Sequence, residues 1–293
     1  MFLTQFDTGE MKMRTVTLKN GKTLPALGMG TWNIGDSQSR RGEEIASLQA
    51  GIEAGMTVID TAEMYGSGRS ESLVGEAIAD LRDDVYLVSK VTPSNASYDG
   101  VQKHCRASLR RLGTDRLDLY LLHWRGGVPL SETVRGMEQL KDDGLILDWG
   151  VSNFDTDDME ELDGITDACT ANQVLYNLEY RGTEFDLLNE DRERGVMTMA
   201  YSPLGQGGDL LSHPAMKDVA KGHETSAGPA TTAQIALAWV LRQENVMAIP
   251  KAGSSKHLRE NVLATEIELT PEDLATLDRA FAPPRRKTHL AMI

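Results

Sequence analysis

Cysteine is scarce. The 293-residue chain holds two, Cys105 and Cys169. Two thiols in so long a chain make no disulfide framework, so both are read as small packed hydrophobes and the compartment as cytoplasmic. No apolar run approaches the roughly 20 residues that a membrane span needs. The start, "MFLTQFDTGEMKMRTV", has no basic opening followed by an apolar block, so it does not read as a signal peptide. Positive charge is in deficit: the formal net charge is −14. An acidic surface repels nucleic acid and anionic lipid, so neither is expected as a partner. The six histidines show no H-x-H or H-E-x-x-H spacing, and no metal is expected. A barrel hydrolase working through Asp60 and a metal is thereby disfavoured. Linkers and low-complexity segments are also missing.

What is present is a rhythm. "TVTLKNGKTLPALG" sets Asn20-Gly21 between alternating apolar residues, the mark of a tight type I′ hairpin. Short apolar runs follow at 26–29, 57–60, 85–91, 117–123, 146–152, 171–175, 196–201 and 246–250. Amphipathic stretches separate them. In "EEIASLQAGIEAG", Ile45, Leu48 and Ile52 fall at helical spacing, and "DGVQKHCRASLRRLG" and "LSETVRGMEQLKDDG" each close on a glycine. "TTAQIALAWVLRQ" opens on a threonine pair suited to capping, and "TPEDLATLDRAF" supplies a further helix after the eighth unit.

Eight strand–helix units without a composition break predict a (β/α)8 TIM barrel with an N-terminal β-hairpin and an extra C-terminal helix. An open doubly wound sheet is the alternative. It would more often carry G-x-G-x-x-G after its first strand, where this chain reads "LGMGTW". Residues 1–13 are read as an N-terminal extension, expected to be disordered, and 14–293 as one barrel domain.

Barrel chemistry gathers at the carboxyl ends of the strands. Here Asp60 ends the second run, Lys90 lies near the end of the third, His123 ends the fourth, and Tyr65 follows on the loop after Asp60. A phenol titrates near ~10 and is a poor acid at neutral pH. A nearby ammonium lowers that value, a carboxylate keeps the ammonium charged and placed, and a histidine can donate to a carbonyl oxygen. The set predicts a phenol poised to protonate an oxygen that gains negative charge. Taken singly, each residue also has an ordinary reading: a loop cap, a core histidine, a loop anchor. An unpaired lysine inside "VSKV" has none, because strands rarely bury a lone ammonium.

These residues carry a resemblance. "DTAEMYG", "LVSKV", "DLYLLHW", "GVSNF", "NQVLYN", "AYSPLGQG" and "IPKAGSSKHLREN" resemble, in order, the blocks of the aldo-keto reductase family, and most closely its bacterial methylglyoxal and general aldehyde reductases. The resemblance implies NADPH-dependent reduction of aldehydes and ketones (small dicarbonyls, sugar-derived or xenobiotic carbonyls), with alcohol oxidation as the reverse. It implies NADPH as preferred cofactor with NADH also usable, a small-molecule carbonyl substrate, and a monomer. Asp60, Tyr65, Lys90 and His123 fall on the family's catalytic tetrad, with Tyr65 as proton donor, Lys90 lowering its pKa, Asp60 holding Lys90 and His123 orienting the carbonyl.

For the cofactor, the resemblance points to Ser152, Asn153 and Gln173 around the carboxamide and Tyr201 against the nicotinamide ring. Gly30, Thr31 and Trp32 would border it. The pyrophosphate would lie under "SPLGQGG", with Ser202, Pro203, Leu204 and Gln206. Lys251, Ser254 and His257 would meet the 2′-phosphate, with Glu260 and Asn261 near adenine. His257 stands where the family usually has arginine, and a histidine cannot bind phosphate in bidentate fashion, so the preference for NADPH is expected to be relaxed. Trp32 and Trp124, with Tyr65 and His123, would wall the substrate pocket. Arg125 replaces a proline common in the family; it would reach a substrate anion or remain a solvated charge. The short tail suggests an open mouth. Some relatives are cofactor-sensing regulatory subunits with little turnover, and this is the alternative to an enzyme.

Overall fold

The computed structural model describes residues 13–251 and 253–293. The N-terminal extension expected over 1–13 therefore lies, Met13 apart, outside the described residues. The chain opens with a hairpin of β1 (Thr15–Thr17) and β2 (Thr23–Pro25). Strands β3 (Met29–Gly30), β4 (Val58–Asp60), β5 (Tyr86–Val91), β6 (Leu117–Leu122), β7 (Ile146–Ser152), β8 (Ala171–Leu175) and β9 (Met197–Tyr201) follow. A small ladder of β10 (Glu224–Thr225) and β11 (Gly228–Pro229) precedes β12 (Val246–Ala248). The crossovers are carried by α1 (Arg41–Glu53), α2 (Arg69–Ala77), α3 (Tyr98–Leu112), α4 (Leu130–Asp142), α5 (Thr156–Asp163) and α6 (Leu187–Arg194). After β9 come α7 (Asp209–Ser212), α8 (Pro214–Ala220) and α9 (Thr232–Leu241); after β12 come α10 (Ser255–Leu263) and the extra helix α11 (Pro271–Ala280).

β3 to β9 and β12 form one eight-stranded parallel sheet in chain order. Parallel bridges Leu27–Ala248 and Gly30–Lys251 join its first and last strands, which closes the barrel. The strands are buried on both faces, as a parallel sheet wrapped in helices requires. This is why their runs read as continuous rather than alternating. The expected helix starts hold for a physical reason. Thr231 and Gln234 form a reciprocal capping box on α9, and Thr270 and Asp273 do the same on α11, so each pair satisfies two orphan backbone donors.

The hairpin turn differs from the expected type I′. The Leu18 carbonyl accepts from Gly21 N at 2.8 Å, and Leu18 N donates to Lys22 O at 2.8 Å. Of Asn20 and Gly21, only Gly21 has positive φ (+86°), whereas type I′ needs both central residues there. The loop is a type I turn closed by a left-handed glycine. The Asn20 side chain is otherwise engaged: it accepts from Lys22 N at 2.9 Å and donates to Asp148 Oδ2 at 2.7 Å. Asp148 sits near the start of β7, so the hairpin covers the amino end of the barrel. The carboxyl end stays clear for the polar groups.

The closing seam leaves little room. A Cβ added to Gly30 would stand 2.7 Å from the Ile249 carbonyl oxygen. Glycine is therefore required at this point by strand closure. Gly30→Ala is expected to lose about 1–3 kcal/mol of stability through overpacking. Urea denaturation measures this; an unchanged midpoint would mean that the seam can open at no cost.

Candidate active site

Because the strands run parallel, their last residues share one rim. Asp60 ends β4, Lys90 is next to last in β5, and His123 directly follows β6. Ser152 and Tyr201 end β7 and β9, and Gln173 lies at the middle of β8. Tyr65 opens a short 3-10 turn on the loop between β4 and α2.

Lys90 is fully buried. Its ammonium donates to Asp60 Oδ2 at 2.8 Å, to the Thr61 carbonyl at 2.9 Å and to the Tyr65 hydroxyl oxygen at 3.2 Å. Three N–H bonds thus meet three acceptors, which is the full capacity of an ammonium group. Burial pulls the Lys90 pKa down, but Asp60 and Tyr65 more than offset this and hold it above the usual lysine value. Asp60 is engaged on its other side as well, where Oδ1 accepts from Gln173 Nε2 at 2.8 Å.

The Tyr65 oxygen accepts from Lys90, so its own proton faces away from the ammonium. Its pKa corrects the expectation from sequence. Burial raises the phenol above 10; Lys90 pulls it down as anticipated, but not enough, and Asp60 adds to the rise. The Tyr65 and His123 rings meet edge to face at 5.8 Å between centroids. Burial, then the Lys90 charge, push the imidazole down to about 2, so His123 is neutral at ordinary pH. Its Nδ1 is buried without a hydrogen-bond partner among the described residues.

The neighbouring polar groups form a chain. Asn153, in a left-handed conformation (φ 58°), donates to the His123 carbonyl and to Ser152 Oγ, each at 3.1 Å. Ser152 Oγ donates to the Gln173 carbonyl at 2.8 Å, and the Tyr201 hydroxyl donates to Asn153 Oδ1 at 3.0 Å. These four residues converge on the rim beside Asp60. Ser202, Gly205 and Gln206 all have positive φ, so the loop after β9 holds three left-handed residues within five positions. Pro203 is buried, Leu204 packs against the core and Gln206 is exposed.

Thr31 is buried, and its hydroxyl donates to the Asp60 carbonyl at 2.9 Å and accepts from Ser70 Oγ at 2.8 Å. It fixes the backbone that presents Asp60. Trp32 is 49% exposed, and Trp124 stacks at a tilt on His123, with centroids 4.9 Å apart. Lys251 is exposed at the seam, and Ser254 caps α10 by accepting from His257 N at 3.4 Å. His257 is exposed on the first turn of α10. Glu260 follows on that helix, and Asn261 is buried with its Nδ2 unpartnered among the described residues.

One group escaped the sequence. Glu63, between Asp60 and Tyr65, accepts from Thr92 N, Thr92 Oγ1 and Asn95 Nδ2, all at 2.9 Å, and pairs with His104 Nδ1 at 2.6 Å. Burial works to raise its pKa, but these bonds hold the carboxyl below its usual range. Glu63 thereby ties the Tyr65 loop to the loop that follows Lys90. No sequence period marks such a bond, because its partners lie on a turn and on α3. Arg125, expected either to reach a substrate anion or to remain a solvated charge, bonds both carboxylate oxygens of Glu161 through its Nη2 at 2.7 Å. It is an ion-paired loop charge turned toward α5.

The tail is short but not loose. The Phe281 carbonyl accepts from Arg181, and Lys287 bonds Asp155, Thr156 and Asp186 on the loops after β7 and β8.

Known proteins share this fold. Residues 26–282 match the family model described as the aldo/keto reductase family. Methylglyoxal reductase YeaE of Escherichia coli is 47% identical over 97% of this chain and 100% of its own length. An aldo-keto reductase of Mycolicibacterium smegmatis is 35% identical over 90% of this chain and 89% of that protein. The crystal structure of a Klebsiella pneumoniae aldo/keto reductase in complex with NADP and acetate superposes with a TM-score of 0.92. It is 47% identical and covers 96% of this chain and 100% of that one. With a closed eight-stranded barrel, a buried lysine between an aspartate and a tyrosine, and these relatives, the chain belongs to the aldo/keto reductase family.

Proposed function

We propose that the protein reduces aldehydes and ketones to alcohols with NADPH, small dicarbonyls such as methylglyoxal among its substrates, and can run the reverse oxidation. It is read as a cytoplasmic monomer. The observation that carries this is the Lys90 ammonium within hydrogen-bond reach of both Tyr65 and Asp60. When bound, NADPH supplies the hydride.

The residues present fit such a cofactor. Asn261 Nδ2, unpartnered among the described residues, offers a buried donor, the left-handed loop at Ser202–Gln206 would let backbone approach a ligand, and Lys251 supplies a cation near the start of α10. Ser152, Asn153 and Gln173 would hold the carboxamide and the Tyr201 ring would lie against the nicotinamide. Gln173 would do so while bracing Asp60. Trp32 and Trp124 would wall the substrate.

The chain's own part is to place a proton. Neutral His123 donates a hydrogen bond to the substrate oxygen and so fixes where charge will develop. Tyr65 gives its proton to that oxygen. Lys90 stabilises the phenolate left behind, and Asp60 keeps Lys90 in position. Together they aim the acid at one atom, a contribution worth roughly 10²–10⁴-fold.

The test is NADPH oxidation, followed optically, across dicarbonyls, sugar aldehydes and aromatic aldehydes; tight cofactor binding without turnover on the whole panel would refute the proposal. Tyr65→Phe should lower kcat by about 10²–10⁴-fold and leave NADPH affinity nearly intact. A parallel loss of affinity would make the residue structural. The pH dependence follows from the three pKa directions. Tyr65 and Lys90 sit above 10 and 10.5 and His123 at about 2. None changes charge in between, so kcat for reduction should stay flat from about pH 5 to 9. A kcat that steps near 6.5 would show that His123 titrates.

A further inference from the structure

We infer that Arg40 reads the 2′-phosphate of NADPH and supplies, from the start of α1, the guanidinium that the first turn of α10 lacks. The inference rests on the NADPH reading above.

Arg40 is 213 residues from Gly253 in the chain, yet its Nη2 donates to the Gly253 carbonyl at 3.0 Å. A Cβ on Gly253 would meet Arg40 Nη2 at 3.0 Å and Lys251 Cε at 3.6 Å. Two cationic side chains, one from each side of the closing seam, therefore converge on the residue just before the cap of α10. The helix start adds its own partial positive charge. Asn261 Nδ2, on that helix and 4% exposed, has no partner among the described residues.

Arg40 also has capacity to spare. It is about half exposed, and its approaches to Glu43 and Glu44 are 3.8 Å and 3.9 Å, too long for hydrogen bonds. Its planar fork suits two phosphate oxygens at once, which the exposed imidazole of His257 cannot match. The single bond to Gly253 holds the fork in place without consuming it. Ribose without the phosphate gives Arg40 nothing to grip. The residue therefore separates NADPH from NADH and adds little to the binding of either nicotinamide ring.

The experiment measures Kd for NADPH and NADH by quenching of protein fluorescence in wild type, Arg40→Ala and Arg40→Lys. Lys251→Ala serves as a reference, and circular dichroism checks the fold. Arg40→Ala should weaken NADPH by about 10- to 100-fold, the loss of a charge-assisted hydrogen-bonded pair. NADH should change less than about twofold, and Arg40→Lys should recover part of the loss. Thermal midpoints give a second readout. At saturation NADPH should raise the wild-type midpoint more than NADH does, and this difference should shrink in Arg40→Ala. Equal losses for both dinucleotides would make Arg40 a structural tether of the Gly253 loop and overturn the inference. So would unchanged NADPH affinity in a wild type that prefers NADPH. If the wild type binds neither dinucleotide, the functional reading fails first and the inference with it.

Discussion

The site depends on one ammonium group with nowhere else to go. A lysine stripped of water in a barrel strand is strongly unfavourable unless each proton finds an acceptor. Lys90 meets that demand with a carboxylate, a backbone carbonyl and a phenol. Each acceptor comes from the stretch 60–65, so one buried charge dictates how the end of β4 and the loop beyond it must lie. The geometry of Tyr65 is in this sense a consequence of solvating Lys90. Further bonds then keep the acceptors where they are: Gln173 on Asp60, Thr31 on the Asp60 backbone, and Glu63 between the Tyr65 loop and Thr92.

Much of this was legible in the chain. The strand runs at 146–152 and 171–175 match β7 and β8 residue for residue, because strands buried on both faces carry short, mostly apolar runs rather than strict alternation. The lysine in "VSKV" announced a buried partner by its improbability. The parts that were not legible share a cause. They are long-range bonds: Glu63 to Thr92, Gln173 to Asp60 and Arg40 to Gly253 join residues 29 to 213 positions apart. No local period or cap encodes a contact of that range. Gly30 carries a second constraint that the sequence did not announce: the Ile249 carbonyl across the seam leaves no room for a side chain. The Asn20-Gly21 turn was misjudged for a related reason: the asparagine side chain was spent on Asp148, a tertiary partner.

Arg125 and the tail show how fold geometry settles questions left open by composition. A loop arginine beside an active site invites a substrate role, but the bonds from its Nη2 to both Glu161 oxygens turn it toward α5. The tail is short, yet Lys287 fastens it to Asp155, Thr156 and Asp186. That route runs over the loops after β7 and β8, the same rim that carries Asn153.

The raised phenol pKa bears on how such a site works. If Lys90 brought Tyr65 close to neutrality, part of the enzyme would rest as phenolate and hold no proton to give. Burial prevents this. The resting hydroxyl keeps its proton across the working pH range, and the ammonium beside it matters most once charge moves. In the proposed reduction the substrate oxygen becomes alkoxide-like and far more basic than any phenol, so transfer from Tyr65 would run downhill. The phenolate formed is born 3.2 Å from a cation that was already fixed and already desolvated. Little further reorganisation is needed at that moment, and this preorganisation is where a buried charge helps most. Neutral His123 serves the same end, since a protonated imidazole at this place would repel Lys90 and compete with Tyr65 to donate. The pocket therefore holds one cation, one acid and one neutral donor, and burial separates their titrations widely enough that each keeps its role.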